Sequence, residues 1–162
     1  MQSPVPQFTR MLHALAAILA KAEAHAAARK IAPEALLQAR LFPDMMTLVG
    51  QVQLACDFAA RASARLAGAD IRNFPDTETS FAVLQARIAT ALAYIAAFSA
   101  DAYGGAEARA VTIRQQGRDT TMTGSEYLSL FAQPQFFFHV TAAYCILRAK
   151  GIEIGKGDYM GA

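Results

Sequence analysis

His139 stands behind three phenylalanines in the run QPQFFFHVTAAYCILRAKG, from Gln133 to Gly151. An imidazole can ligate a metal, move a proton or simply hydrogen-bond inside a core. Its unperturbed pKa, near ~6.5, suits a switch or a general base. Ala142, Ala143 and Ile146 share its helical face, at the edge of a stripe formed by Phe136, Val140, Ala143 and Leu147. Three roles are open to it: a half-buried, hydrogen-bonded side chain, a wall of a small-molecule pocket, or a metal ligand. Its candidate companions are Asp44 and Gln51. With Phe58 they are spaced by seven residues and share one stripe of a helix. Asp44 falls in the first turn expected for that helix, where a carboxylate is stabilised by the helix dipole. A shared polar pocket of Asp44, Gln51 and His139 is the sharper expectation. A dipole-satisfying carboxylate and a core histidine are the plainer one.

The remaining reactive side chains suggest less. Cys56 and Cys145 make neither a disulfide framework nor a CxxC pair, which predicts reduced, buried thiols in a cytoplasmic protein. Cys145 lies six residues from His139 and faces another direction on the same helix, so the two do not form a nucleophile–base pair. His13 and His25 lie off the main stripe of the first helix, at solvent or interface positions. The chain has no GxSxG, no P-loop, no GxGxxG after a strand and no HExxH. The tail word GKGD follows no predicted strand and opens no predicted helix, so it does not read as a phosphate loop.

The elements that position these residues are helical. The 162 residues suffice for one domain, 1–162, with a real core. Hydrophobic residues make up 54% and charged ones 17%, and much of the apolar fraction is alanine, which favours helix and close helix approach. The net charge of +2, with no Lys/Arg block, argues against a nucleic-acid partner. The N-terminal MQSPVPQFTR lacks the order of a secretion signal. The uncharged run Tyr127 to Leu147 is long enough to span a membrane, but Gln133, Pro134, Gln135 and His139 interrupt it. It reads as two helices meeting at the proline, with no membrane partner.

A first helix is expected over Pro6–Arg29, with Phe8, Leu12, Leu15, Leu19, Ala22 and Ala26 on one stripe. Ala16, Ala17, Ala20 and Ala24 form a second, small-residue face suited to a partner helix or a second copy. Irregular turns follow, and a second helix is expected from Pro43 to Gly68, where the glycine stops it. The linker ADIRNFPDTETS supplies N-caps for a third helix over Thr79–Ala102. Glu107–Thr123 has the β-branched and turn residues of a short hairpin. A short helix through Ala132, broken by Pro134, precedes a fourth long helix over Gln135–Lys150, and a glycine-rich tail lies over the surface. The expected fold is all-α: an antiparallel four-helix bundle, with a short β-hairpin or extended insertion between the third and fourth long helices.

Three words sharpen this reading. LFPDMMTLVGQVQLACDFA, AEARAV and above all QPQFFFHVTAAYCILRAKGIEIGKGDYMG resemble the bacterial domain-of-unknown-function family nineteen-ninety-three. That family is similar to the DinB/YfiT-like superfamily of four-helix bundles. The resemblance implies a frequent dimer, a divalent metal on three histidines in many relatives, and thiol-dependent transferase or isomerase activity in some. Carried onto this chain, the superfamily's ligand positions fall on Gln51, His139 and Ala143. An amide is a weak ligand and alanine is none, and a divalent site needs several converging donors. The expectation is therefore a homodimeric small-ligand-binding or interaction protein with a degenerate metal site and no resident cofactor, a weakly held divalent metal aside. Its alternative is a DinB-like thiol-dependent transferase or isomerase using a residual site around His139.

Overall fold

The computed structural model describes residues 1–115 and 117–162. The chain is mostly helical. It forms α1 (Val5–Ala28), α2 (Pro33–Leu37), α3 (Leu48–Ala67), α4 (Phe81–Ala96), a 3-10 turn (Ala100–Tyr103), β1 (Ala110–Gln115), β2 (Arg118–Thr123), α5 (Gly124–Glu126), a π-helical segment (Tyr127–Ala132), α6 (Gln133–Ala149) and α7 (Lys156–Met160). The long helices pack on one another, α3 against α6 and α4, and α1 against α4. Their apolar stripes meet in one core that includes Phe8, Leu12, Leu15, Val52, Ala59, Leu84, Ile88, Phe136 and Leu147. Phe8 and Phe136 touch across it, with ring centroids 4.7 Å apart. Each such side chain stabilises the fold by about 1.5–3 kcal/mol on leaving water.

The hairpin is antiparallel, registered from Ala110 opposite Thr123 to Gln115 opposite Arg118. Among its described residues only the inward ones, Val111 and Ile113, are buried. Thr123 caps α5 in a reciprocal box with Glu126, which joins the hairpin to the long C-terminal helix.

Several boundaries differ from those expected. The second long helix begins at Leu48, not Pro43, because the Thr47 hydroxyl accepts the Gly50 N–H and caps it there. Residues 43 and 44 lie in a turn before it, closed by the Met45 N–H donating to the Phe42 carbonyl at 3.0 Å. The third helix starts after its cap, Ser80, and stops at Ala96. The chain then tightens into the 3-10 turn, which brings Tyr103 into the core. Gly68 ends α3 in the left-handed region, at φ 71°.

Pro134 does not break the C-terminal helix. Gly124–Ala149 is one continuous helix, with Pro134 in the first turn of α6 and the π segment immediately before it. In a plain α-helix the proline ring would meet the carbonyl four residues back, and its missing N–H would orphan that group. A wider π turn accommodates both defects. By length and composition this helix could cross a membrane, yet Phe136, Val140, Ala143 and Leu147 are all spent in the core.

The glycine-rich tail lies over the surface, as expected, but is anchored there. Ile152 and Ile154 are buried, and GKGD does open a helix, the five-residue α7, whose Asp158 accepts the Gly155 N–H at 2.8 Å. α7 packs on α1, held by Lys21 to Asp158 at 2.5 Å and by Arg10 donating to the Met160 carbonyl at 2.9 Å.

Candidate functional site

α3 and α6 bring Gln51 and His139 together. The His139 Nδ1 lies 2.8 Å from the Gln51 Oε1, and both side chains are buried. The Gln51 Nε2 donates to the Met46 carbonyl at 3.4 Å. That contact turns the amide oxygen towards His139, so Nδ1 carries the proton and donates it. The other ring nitrogen, Nε2, is then a lone-pair acceptor, and among the described residues no side chain or backbone group bonds to it. Phe58 stacks on the ring at 5.5 Å, and Phe138 meets it edge-on at 5.3 Å. Phe131 in turn packs edge-on against Phe58. Burial disfavours the imidazolium and pulls the His139 pKa down to about 4, so the ring is neutral at pH 7.

Asp44 is not part of this arrangement. It is exposed, in the turn ahead of α3, because the helix on which its spacing to Gln51 was counted does not extend that far. Phe58, on the same expected stripe, does reach the site, as the stacking partner of His139. His13 is exposed and His25 half-buried on α1. Cys56 is sealed in the core, where burial pushes its thiol up to about 12, so it is an inert thiol. Cys145 is half-buried on the outer side of α6.

The FFF run divides by helix phase. Phe136 is fully buried, Phe137 is half-buried beside it with centroids 5.4 Å apart, and Phe138 is 55% exposed. Phe137 and Phe138 face a groove of about 340 Å³ between α6 and the 41–45 turn, lined also by Leu41, Met45 and Cys145. Phe137 also borders a second groove, with Gln7, Arg10 and Met11 of α1.

The superfamily's metal triad does not fit these residues. The buried Ala143 offers no donor, and Gln51 offers only a neutral amide oxygen, a weak ligand already bonded to His139. No group of three or more His, Cys, Asp or Glu side chains converges anywhere among the described residues.

Sequence reasoning missed a buried ionic cluster on the other side of α3. Arg87 of α4 donates to Asp57 at 2.7 Å, to Glu78 at 2.8 Å and to the Pro75 carbonyl at 3.1 Å. Arg61 completes the Asp57 carboxylate at 2.8 Å, and Gln53 donates to Glu78 at 2.7 Å. Burial pushes the Asp57 carboxyl up, with the two arginines only partly offsetting it. Burial also pushes Glu78 up, but the bonds from Gln53 and Arg87 outweigh it and hold that carboxyl low. The cluster ties the 69–80 linker to α3 and α4. Its signal was present in the sequence: Arg87 is the sole charged residue in α4, and Asp57 interrupts an apolar stripe.

The mostly helical fold with one two-stranded hairpin is DinB-like. The chain belongs to the family described as Domain of unknown function (DUF1993), whose profile matches residues 1–160. It is similar to a DinB family member protein from Shewanella denitrificans of known crystal structure, with 42% identity and a TM-score of 0.89, over 98% of this chain and 89% of that one. Nothing among the curated proteins matches it.

Proposed function

We propose that this chain is a cytoplasmic, homodimeric binding protein of the DinB/YfiT-like antiparallel four-helix kind. In this reading its rim site around His139 and Gln51 holds a small molecule and its metal triad is degenerate. One observation carries the proposal: the side-chain partner of the buried His139 is a neutral amide, Gln51, while the third ligand position is Ala143. The homodimer is supported by a small-residue surface on two adjoining helices, flanked on α1 by Lys21 and Glu23. Ala17, Ala20 and Ala24 of α1 are exposed, as are Ala82, Val83, Ala86, Ala89 and Ala93 of α4. The Gln85 side chain, donating to the Ala16 carbonyl at 2.8 Å, binds the two helices into one layer.

The alternative, a thiol-dependent transferase or isomerase, draws on the free Nε2 of His139 as a general base. Elemental analysis of dialysed protein, together with sedimentation at micromolar concentration, tests the main reading. The expected result is a dimer without stoichiometric metal, converted to monomer by Ala20→Arg. A one-to-one metal content lost in His139→Ala supports the enzyme reading instead.

A further inference from the structure

The His139 site has features that select among ligands. The side chain is 6% exposed, so it is more than nine-tenths buried, and its Nδ1–H is committed to Gln51. The lone pair on Nε2 is therefore uncommitted, on a ring that Phe58 stacks against and Phe138 meets edge-on. Nε2 is not among the sealed, unpartnered polar atoms of the described residues, which are Ser63 Oγ, Arg87 Nε and the Tyr103 hydroxyl. It thus keeps contact with the outside, at a rim where Phe138 and Met46 are 55% and 47% exposed.

The charged side chains of the neighbouring 39–48 segment are turned elsewhere: Arg40 donates to the Met45 carbonyl, and Asp44 is exposed. No ion pair among the described residues involves His139 or Gln51, and the nearest arginines along α3 are committed: Arg61 to Asp57 at 2.8 Å and Arg65 to the Tyr127 hydroxyl at 3.1 Å. An anion at Nε2 would be desolvated with no cation bonded to the His139–Gln51 pair, and a metal or organic cation with no carboxylate bonded to it. Each of those losses is large in an apolar wall. A polar group that offers one donor instead satisfies the acceptor, and an apolar body covers the aromatic rim.

We propose that the His139 site takes a neutral, mainly apolar molecule that donates one hydrogen bond to Nε2, of the class of phenols and N–H heterocycles. This rests on the reading of His139 as a binding site and adds the ligand's chemistry to it. Gln51 is a positioning residue in this scheme. The bond it accepts selects the tautomer, and with it the acceptor character of Nε2.

The test is NMR on the full chain with ¹⁵N-labelled histidine near pH 7.5, titrated separately with phenol, benzoate and Zn²⁺. The expected spectrum of the free protein has the His139 proton on Nδ1. Phenol then moves the Nε2 resonance saturably, and benzoate and Zn²⁺ leave it in place. Gln51→Leu, shown to be folded by circular dichroism, is expected to lose the tautomer preference and to weaken the phenol response at least tenfold. A free protein with its proton on Nε2 overturns the proposal, as does a Gln51→Leu variant that responds to phenol like the parent. A saturable shift with benzoate or Zn²⁺ but none with phenol overturns the ligand class and leaves the site standing. No shift with any probe removes both.

Discussion

Phe58 lies nearly parallel to His139, with ring centroids 5.5 Å apart and planes inclined by 12°. The stack strips water from one face of the imidazole and contributes to the burial that draws its pKa down to about 4. An unfolded chain binds that proton near pH ~6.5. Between the two values the unfolded state holds more protons than the folded one, so stability falls as the pH is lowered. The His139 contribution is complete above pH ~6.5 and is lost progressively towards pH 4, reaching at most about 3 kcal/mol. Urea denaturation from pH 7.5 to 4.5 should show that decline, and His139→Phe should flatten it relative to the parent. Parallel pH dependences in the two proteins would mean that the histidine titrates normally in the fold.

Arg87 holds three carboxylates at once, the buried Asp57 and Glu78 and the exposed Asp76. Removing it as Arg87→Met leaves Asp57 with Arg61 alone and Glu78 with Gln53 alone in a low-dielectric site, and the expected loss is about 3 kcal/mol. Amide exchange in the 69–80 linker should rise with it. Replacing all three as Asp57→Leu, Glu78→Leu and Arg87→Met should recover most of the stability, since no charge is then left buried. A single Arg87→Met change costing under 1 kcal/mol would show that the cluster is solvated.

The two phenylalanines that differ most in exposure should differ most in energy. Phe136 is fully buried against Phe8, so Phe136→Ala should cost about 3–5 kcal/mol. Phe138 is 55% exposed, and Phe138→Ala should change stability by about 0.5 kcal/mol or less. Chemical denaturation of both variants gives the comparison, and equal losses would contradict the helical phase of α6.

Two substitutions should rebuild a metal site. Gln51→His with Ala143→His places three imidazoles on α3 and α6, one turn apart on the latter. The double variant is expected to bind Zn²⁺ measurably by calorimetry, where the parent does not. A folded double variant with no affinity would show that these positions do not converge.

Local pattern was enough to foresee much of this molecule. The spacing of Phe8, Leu12, Leu15 and Leu19 marks α1, and Gly68 marks the end of α3. The phase of Phe136, Val140, Ala143 and Leu147 turns His139 towards α3. Helical periodicity is set by the backbone itself, so it survives without knowledge of neighbours. What neighbours decide was hidden. Pro43 and Thr47 both qualify as helix starts, and the competition fell to Thr47 within the packing of the 39–48 segment, where the Leu48 N–H bonds the Ala39 carbonyl at 2.9 Å. Asp44 was thereby left outside the site. Pro134 ends most helices, yet here a π turn carries the chain through it because Tyr127, Ala132 and Phe136 are all buried along one continuous rod. The Asp57–Arg87–Glu78 cluster joins residues up to 30 positions apart. Its charges are tolerated inside only because the fold supplies each with a partner, and no local pattern in the sequence records which partner that is.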